Sequence, residues 1–214
     1  MAEVQIRDIL VGYGDLYFAD YADVGGSRAE TSPFGPDWEL GGAASDDLRT
    51  ILDADADWEY AGATQEGVEI AYAPEYGEVQ VDQLGDAAIM FFDTASVTLN
   101  TQLAEATLEN LIFAWGYQDE FLETTGQEST FNIGIPDQTP TERSVAVVGK
   151  GASSPDGNPR ERLYVGWRAL SIEGSSLAMR RNENTSYQVS IRLLADPAHV
   201  GEEYGLIIDR VVGS

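Results

Sequence analysis

The sequence has 214 residues, of which 43% are hydrophobic, and its 37 acidic and 12 basic residues give a net charge of −25. The apolar content suffices for a core, while the absence of cysteine excludes disulfides, thiolate zinc sites and a cysteine nucleophile. A single histidine, His199, excludes a multi-histidine metal site. No run of about 18 apolar residues and no signal-like N-terminus occurs, so neither a membrane span nor a secretory signal is expected.

The charge is unevenly distributed along the chain. Only Arg7, Arg28 and Arg49 supply positive charge before residue 131, and no Lys or Arg lies between Thr50 and Glu142. A chain this acidic should repel nucleic acid and anionic membranes. Its acids are expected to face solvent or a lumen, or to meet the Arg-rich C-terminal half of a neighbouring copy. Many acids and arginines with one lysine are typical of a GC-rich genome or of a high-salt host.

The N-terminal quarter predicts little regular structure. Residues 1–11 alternate in part and predict a strand or arm, and residues 12–19 predict a short aromatic strand after a turn. Residues 23–47 are rich in Gly and Pro and predict an extended loop. Loops of this length are usually functional or mobile.

Residues 57–97 predict a meander of strands. A strand at 58–61 precedes a hairpin with arms at 67–72 and 78–83 and a turn at 73–77, and residues 88–92 predict a buried strand. Alternation assigns one hairpin face to Val68, Ile70, Tyr72, Val79 and Val81 and the other to Glu69, Ala71, Glu78, Gln80 and Asp82. The second face is acidic and carries no cation.

Residues 102–115 carry apolar side chains at helical spacing and predict a helix, with Asn100 or Thr101 as its N-cap and Gly116 as its C-cap. An acidic, irregular segment is expected at 119–128. Further strands are predicted at 130–135, 143–149, 160–170, 172–180, 187–195 and 204–211, with a mobile loop at 151–159. No repeat or linker divides the chain, so residues 1–214 are expected to form one mainly β domain.

Motifs for catalysis, nucleotides or metals are incomplete. Residues 53–57 begin like an EF-hand loop, but Trp58 stands where Gly is needed and Thr64 where Glu is needed. Lys150 follows Gly149 without the earlier Gly of a phosphate-binding loop, and no Gly-x-Ser-x-Gly elbow accompanies His199. We therefore expect no enzyme activity, no catalytic residue, no cofactor and no metal site.

Tryptophans predict both core packing and surface contacts. Trp115 falls on the apolar stripe of the predicted helix and Trp167 in an apolar strand, so both are expected in the core. Trp38, within the Gly/Pro-rich loop, is the better candidate for an exposed contact.

Several segments together resemble the major tail protein, or tail tube protein, of long-tailed (siphovirus-like) phages and related viruses. Residues 58–68 and 78–83 carry the most specific part of the resemblance, followed by residues 97–100 leading into the Leu-Glu-Asn-Leu segment at 108–111. Residues 164–169 and 191–196 resemble the late strands of that family.

The resemblance implies a β-sandwich or small barrel with one flanking α-helix, a long loop and terminal arms. It further implies a structural virion protein whose rings, expected to be hexameric, stack into the hollow tail tube. Hairpins from each copy would line the lumen, and viral DNA would pass through without specific binding. Tape-measure, tail-terminator and tip proteins are the further partners implied, with synthesis in the host cytoplasm and assembly into the virion tail.

Two sets of site residues follow from this resemblance and from the charge pattern. The lumen-facing acidic candidates are Glu69, Glu78 and Asp82. The inter-subunit candidates are Trp38, Arg160, Arg162, Arg180, Arg181 and Arg192. The strand at 187–195 is a second candidate for lining the lumen.

Other functions remain as alternatives. A β-sandwich module that binds carbohydrate or a surface would use an exposed aromatic platform including Trp38. Another virion component, such as a tail terminator, neck or head-decoration protein, would share the fold and differ in its assembly contacts. A hydrolase with a carboxylate pair ranks last, because the spacing that such a pair requires is spatial.

Overall fold

The computed structural model describes residues 14–21, 46–54, 58–80, 87–117, 122–134, 141–152, 158–172 and 185–212. The structure is mainly β, with 61% strands, and its described part contains a curled half-barrel sheet and two helices. The predicted mainly β fold with a flanking helix is therefore confirmed.

The elements are numbered in chain order. The strands are β1 (Asp15–Asp20), β2 (Glu59–Tyr60), β3 (Thr64–Gln80), β4 (Ala87–Leu103), β5 (Leu122–Thr125), β6 (Glu128–Phe131), β7 (Glu142–Gly151), β8 (Arg160–Ser171), β9 (Tyr187–Leu194) and β10 (Gly205–Val211). The helices are α1 (Leu48–Ala54) and α2 (Leu108–Trp115). The strands predicted at 143–149, 160–170, 187–195 and 204–211 are thereby confirmed, as is the described part of the strand predicted at 12–19.

One antiparallel sheet has the order β2-β1-β7-β8-β9-β4-β3, with β10 paired to β8. The sheet divides at β8, because residues 160–166 pair with β10 whereas residues 168–171 pair with β9. Gly205 begins β10 at φ +148°, where a Cβ would lie 1.9 Å from the carbonyl oxygen of Val165. Only glycine permits this close approach of two strands. A separate hairpin joins β5 to β6.

The core lies on both faces of the β1–β7–β8 region. On one face Leu16 and Phe18 of β1 pack with Phe113 of α2 and with buried side chains of β4 and β9. On the other face Tyr17 and Ala19 pack with α1 and with Trp167. Both faces are apolar because alternate residues of a strand point to opposite sides of the sheet.

Helix α2 begins later than predicted. Its N-cap is Thr107, whose hydroxyl accepts a hydrogen bond from the Asn110 backbone N–H at 3.1 Å, and Gly116 at φ 69° is the predicted C-cap. The predicted N-cap residues Asn100 and Thr101 lie within β4 instead. This start was wrong because every second residue here is buried, as in a strand, namely Val97, Leu99, Thr101 and Leu103.

Helix α1 was not predicted from the sequence. Asp47 caps the helix by accepting a hydrogen bond from the Thr50 backbone N–H at 2.7 Å, and this bond lowers the pKa of Asp47. The Leu48 backbone N–H donates to Glu161 of β8 at 2.7 Å. Leu48 and Leu52 cover the sheet face that carries Trp167.

The predicted turn at 73–77 is wrong, because these residues lie inside β3. Among the described strands β3 pairs with β4 alone and is therefore an edge strand, where Pro74 is tolerated. The segment expected to be irregular contains β5, and the strand predicted at 130–135 begins earlier and ends at Phe131. Residues 1–11, most of 23–47 and most of the strand predicted at 172–180 lie outside the described residues.

Candidate functional site

The β3–β4 hairpin extends beyond the body as an exposed arm, defined here as residues Glu75–Gln80 and Ala87–Thr94. The first pair of the arm joins Glu75 to Thr94, and its last pair joins Gln80 to Ala87. Six residues of an extended strand span about 20 Å. Large apolar side chains along the arm are exposed, with Ile89 at 62% and Met90 at 67%.

The arm carries apolar side chains on both of its faces. Register places Tyr76 beside Phe92 and Glu78 beside Met90, and these four residues form face A. Gly77 pairs with Phe91 and Val79 with Ile89, and these form face B. The expectation that residues 88–92 form a buried strand is therefore wrong, because residues 89–92 are exposed. From sequence alone, a run of four apolar residues does not show whether it packs against its own chain or against another molecule.

Both long edges of the arm lack strand partners in the described part of the chain. On β4, pairing with β9 begins at Val97, below the arm. On β3, every described partner belongs to β4. Open edges with exposed apolar side chains favour pairing with another chain.

The β3–β4–β9 sheet has a polar face below the arm. Cross-strand rows on this face join Gln65, Gln102 and Gln188, then Glu69, Asn100 and Ser190, then Ala71, Thr98 and Arg192. Ser190 donates a hydrogen bond to the Asn100 side-chain oxygen at 2.8 Å. An open groove of about 300 Å³ lies here, lined by Gln65, Gly67, Glu69, Asn100, Thr101, Gln102 and Gln188. The polar face thus carries one acid, one arginine and many neutral amides and hydroxyls.

The three acidic candidates do not share one described face. Glu69 and Glu78 are nine positions apart in one continuous strand, so alternation places them on opposite faces. Their predicted common face required the turn at 73–77, which is absent. Glu69 lies on the polar face and Glu78 on face A of the arm, whereas Asp82 lies outside the described residues.

The arm is acidic as well as apolar. Glu75, Glu78 and Asp93 are exposed on it, and the nearest Lys or Arg in sequence lies before residue 50 or after residue 142. Asp93 is the extra residue in β4 where the register shifts, which makes a bulge in the arm.

The arginine candidates lie at different parts of the sheet. Arg162 on β8 makes two hydrogen bonds to the Asp209 carboxylate of β10, at 2.5 and 2.7 Å. These bonds raise the pKa of Arg162 and lower that of Asp209. Arg160 lies on the same strand two residues earlier, and Arg192 is exposed on β9. Arg180, Arg181 and Trp38 lie outside the described residues.

The described tryptophans serve the core. Trp167 is 1% exposed, as predicted, and its ring stacks on that of His199 at 4.0 Å. The Trp167 indole N–H donates to the Glu202 carbonyl at 2.7 Å. Trp115 is partly buried against the core, and Trp58 is buried. His199 is a buried loop residue beside Asp196.

Within the described residues no cluster of three or more His, Asp or Glu side chains is arranged to hold a metal ion. In that same part of the chain neither helix has the length and apolarity needed to cross a membrane.

Comparisons with known proteins give similarity to solved structures alone. No family model matches the sequence. No curated protein matches it either. Among solved structures, a chain of the "Tail of empty GTA particle computed with helical refinement, C6 symmetry" is similar over 68% of this chain and 87% of that chain. The two are 12% identical with a TM-score of 0.36, and a TM-score of this size does not establish a common fold.

Proposed function

We propose that this chain is a structural protein of a virion tail that self-assembles into stacked rings, six copies to a ring, forming a tube through which viral DNA passes. The observation that carries the proposal is the arm, which exposes Tyr76, Val79, Ile89, Met90, Phe91 and Phe92 on a hairpin with two open edges. Large exposed apolar surfaces mark interaction sites.

A partner is needed to stabilise the arm. An isolated two-stranded hairpin is marginally stable in water, and side chains exposed on both faces gain little from burial within the chain. A second copy of the chain is the simplest partner for a protein that forms a tube. Contact between the arm and a different surface of the next copy is heterologous, and such contacts generate rings or helical stacks.

The size of the arm favours rings over pairs. One face of the arm is about 20 Å by 10 Å, so it covers about 200 Å², against about 800 Å² per partner in a stable interface. One arm contact is therefore weak, and several made together by a closed ring or stack supply the affinity. We accordingly expect assembly to be cooperative, with few intermediates between monomer and ring.

The polar face is proposed to line the channel. Its amides and hydroxyls lack the clustered cations that would hold phosphate, and Glu69 adds repulsion. The surrounding acids strengthen the same effect, since the whole chain has a net charge of −25. Glu69 remains an acidic candidate for the lumen, and a lumen position for Asp82 remains a prediction. Glu78 is proposed instead to make a contact between subunits.

The proposal gives the protein no catalytic role. Tape-measure, tail-terminator and tip proteins are its further proposed partners, and the virion tail is its proposed location. The DNA is cargo that moves through the tube without specific binding.

Negative-stain electron microscopy of the purified full chain, at low and at high salt, tests the proposal. We expect hollow rings or tubes, more abundant at high salt because salt screens repulsion among the acids. Uniform monomers at both salt concentrations and at the highest attainable protein concentration would contradict self-assembly. Monomers that bind glycans would instead support the binding-module alternative.

A further inference from the structure

We propose that face A of the arm docks on one particular surface of the next copy, the receiving patch, formed by Arg160, Arg162 and Tyr164 of β8 with Ile207 of β10. This inference rests on the proposed self-assembly and adds the surface that receives the arm.

Register brings the receiving patch together. Ile207 pairs with Tyr164, Asp209 with Arg162, and Val211 with Arg160. The intervening residues Leu163 and Ile208 pack in the core cluster on the opposite face of these strands. The patch therefore lies on the face of the β8–β10 pair opposite that cluster, where Tyr164 is partly buried against the other core cluster and Ile207 is 65% exposed.

Glycines of β7 lie beside the two arginines of the patch. On the other side of β8, Arg162 pairs with Gly149 and Arg160 with Gly151. A Cβ at Gly151 would lie only 3.1 Å from the Cβ of Arg160. Because both β7 partners are glycines, the described β7 strand places no side chain directly opposite the two arginines, which leaves room for a flat hairpin face on that side.

The charge of the patch fits face A. Asp209 already accepts both hydrogen bonds from Arg162, so this pair is close to neutral. Arg160 supplies the remaining positive charge, and its Nε–H is buried with no hydrogen-bond partner among the described residues. Face A presents one carboxylate, Glu78, among three apolar side chains. Docking would bring Glu78 to Arg160 and the apolar side chains to Ile207 and Tyr164.

Two alternatives fit less well. Face B has no charged residue to meet Arg160, since it consists of Gly77, Val79, Ile89 and Phe91. Elsewhere on the body, Val200 is 91% exposed, but Glu202 and Glu203 follow it closely in the same turn. Those acids would repel an arm whose charged residues are all acidic.

Cysteine cross-linking between differently labelled copies tests the docking, because the natural sequence has no cysteine. An affinity-tagged Phe92→Cys chain is mixed with an untagged Ile207→Cys chain, assembled at high salt, and oxidised. Mixing single-cysteine chains restricts every cross-link to different copies, and a disulfide forms only where the Cα atoms lie within about 7 Å. Phe92→Cys mixed with Val200→Cys is the matched control.

We expect a tagged–untagged cross-linked dimer in several-fold excess over the control mixture. Rings or tubes without this excess would overturn the receiving patch and leave the proposed function intact. Dominant cross-linking between Phe92→Cys chains would show arm-to-arm pairing and would also overturn it. Absence of any assembly by the wild-type chain would overturn both proposals.

Charge exchange gives a second test. Glu78→Arg should reduce assembly severalfold, and adding Arg160→Glu to the same chain should restore it. Glu123→Arg on the exposed β5–β6 hairpin makes the same charge change away from the arm and should leave assembly unaltered. Equal loss with Glu78→Arg and the double variant would contradict the pairing of Glu78 with Arg160.

Discussion

The body and the arm of this protein are built from strands of similar apolar character with opposite surroundings. In β1, five consecutive residues are buried, because α2 covers one face of the strand and α1 covers the other. In the arm, residues 89–92 are an equally apolar run with no cover in the described structure. The body is therefore stabilised within one chain, whereas the arm carries apolar surface that the described residues leave exposed.

Energetics make this difference testable. Burying a large apolar side chain contributes about 1.5–3 kcal/mol, and the exposed arm residues forgo most of that contribution in the monomer. Substitutions should consequently separate into two classes, with changes in the body affecting folding and changes in the arm affecting assembly.

Leu163→Ala should give the largest effect on folding. Leu163 is fully buried in the cluster beneath α1, so its truncation should lower the free energy of unfolding by about 2–5 kcal/mol. Ile89→Ala in the arm is the matched change and should alter the free energy of unfolding by less than about 0.5 kcal/mol. Urea denaturation of both variants measures this contrast, and equal losses would show that the monomer buries the arm.

Asn110→Ala should have the next largest effect. The buried Asn110 amide donates to the carbonyls of Ala61 and Glu105, at 2.8 and 3.0 Å, and ties α2 to the segment before β3. The substitution removes the donor of both hydrogen bonds and should lower the free energy of unfolding by about 1–3 kcal/mol. Urea denaturation measures the loss, and Asn110→Asp, which keeps the size but not the donor, should lose stability too.

Thr107→Ala should cost about 1 kcal/mol, because it removes the side-chain cap of α2. Thr107→Ser keeps the hydroxyl and should retain most of the stability. Thermal unfolding of the two variants measures this, and indistinguishable melting temperatures would contradict the role of Thr107 as N-cap.

Asp209→Asn should give the smallest effect, below about 1 kcal/mol, because the Arg162–Asp209 pair is partly exposed. Arg162 lowers the folded-state pKa of Asp209, so this stabilisation is present above the unfolded pKa of about 3.9 and is lost as the pH falls through the lower folded value. Unfolding at pH 7 and at pH 3 should therefore show the difference from wild type shrinking in acid. A difference that persists unchanged at pH 3 would exclude the ion pair as its source.

Much of the body could be predicted from sequence because its signals are local. Residues 143–149 and 160–170 are apolar runs bounded by Gly and Pro, and each forms a strand that crosses the core. Gly116 was identifiable as a C-cap, because a helix that ends in the left-handed conformation favours glycine. The buried state of Trp167 followed from its apolar neighbours.

The arm could not be predicted in the same way. Pro74 and Gly77 are strong turn signals, yet they lie in an edge strand that continues through them, and only the pairing with β4 shows this. Helix α1 escaped notice because seven residues give too short a periodic pattern. The face assigned to Glu78 was wrong for the same reason. With a turn at 73–77 Glu78 would share a face with Glu69, whereas in one continuous strand the two lie on opposite faces.

Sedimentation velocity of wild type against the arm variant Met90→Ser/Phe92→Ser, at matched high salt, tests the central claim most directly. The variant should fold with wild-type stability and remain monomeric, while wild type and the exposed-surface control Val200→Ser form large species. Assembly of the arm variant to the wild-type extent would contradict the account, because the arm would then not be the surface through which the copies join.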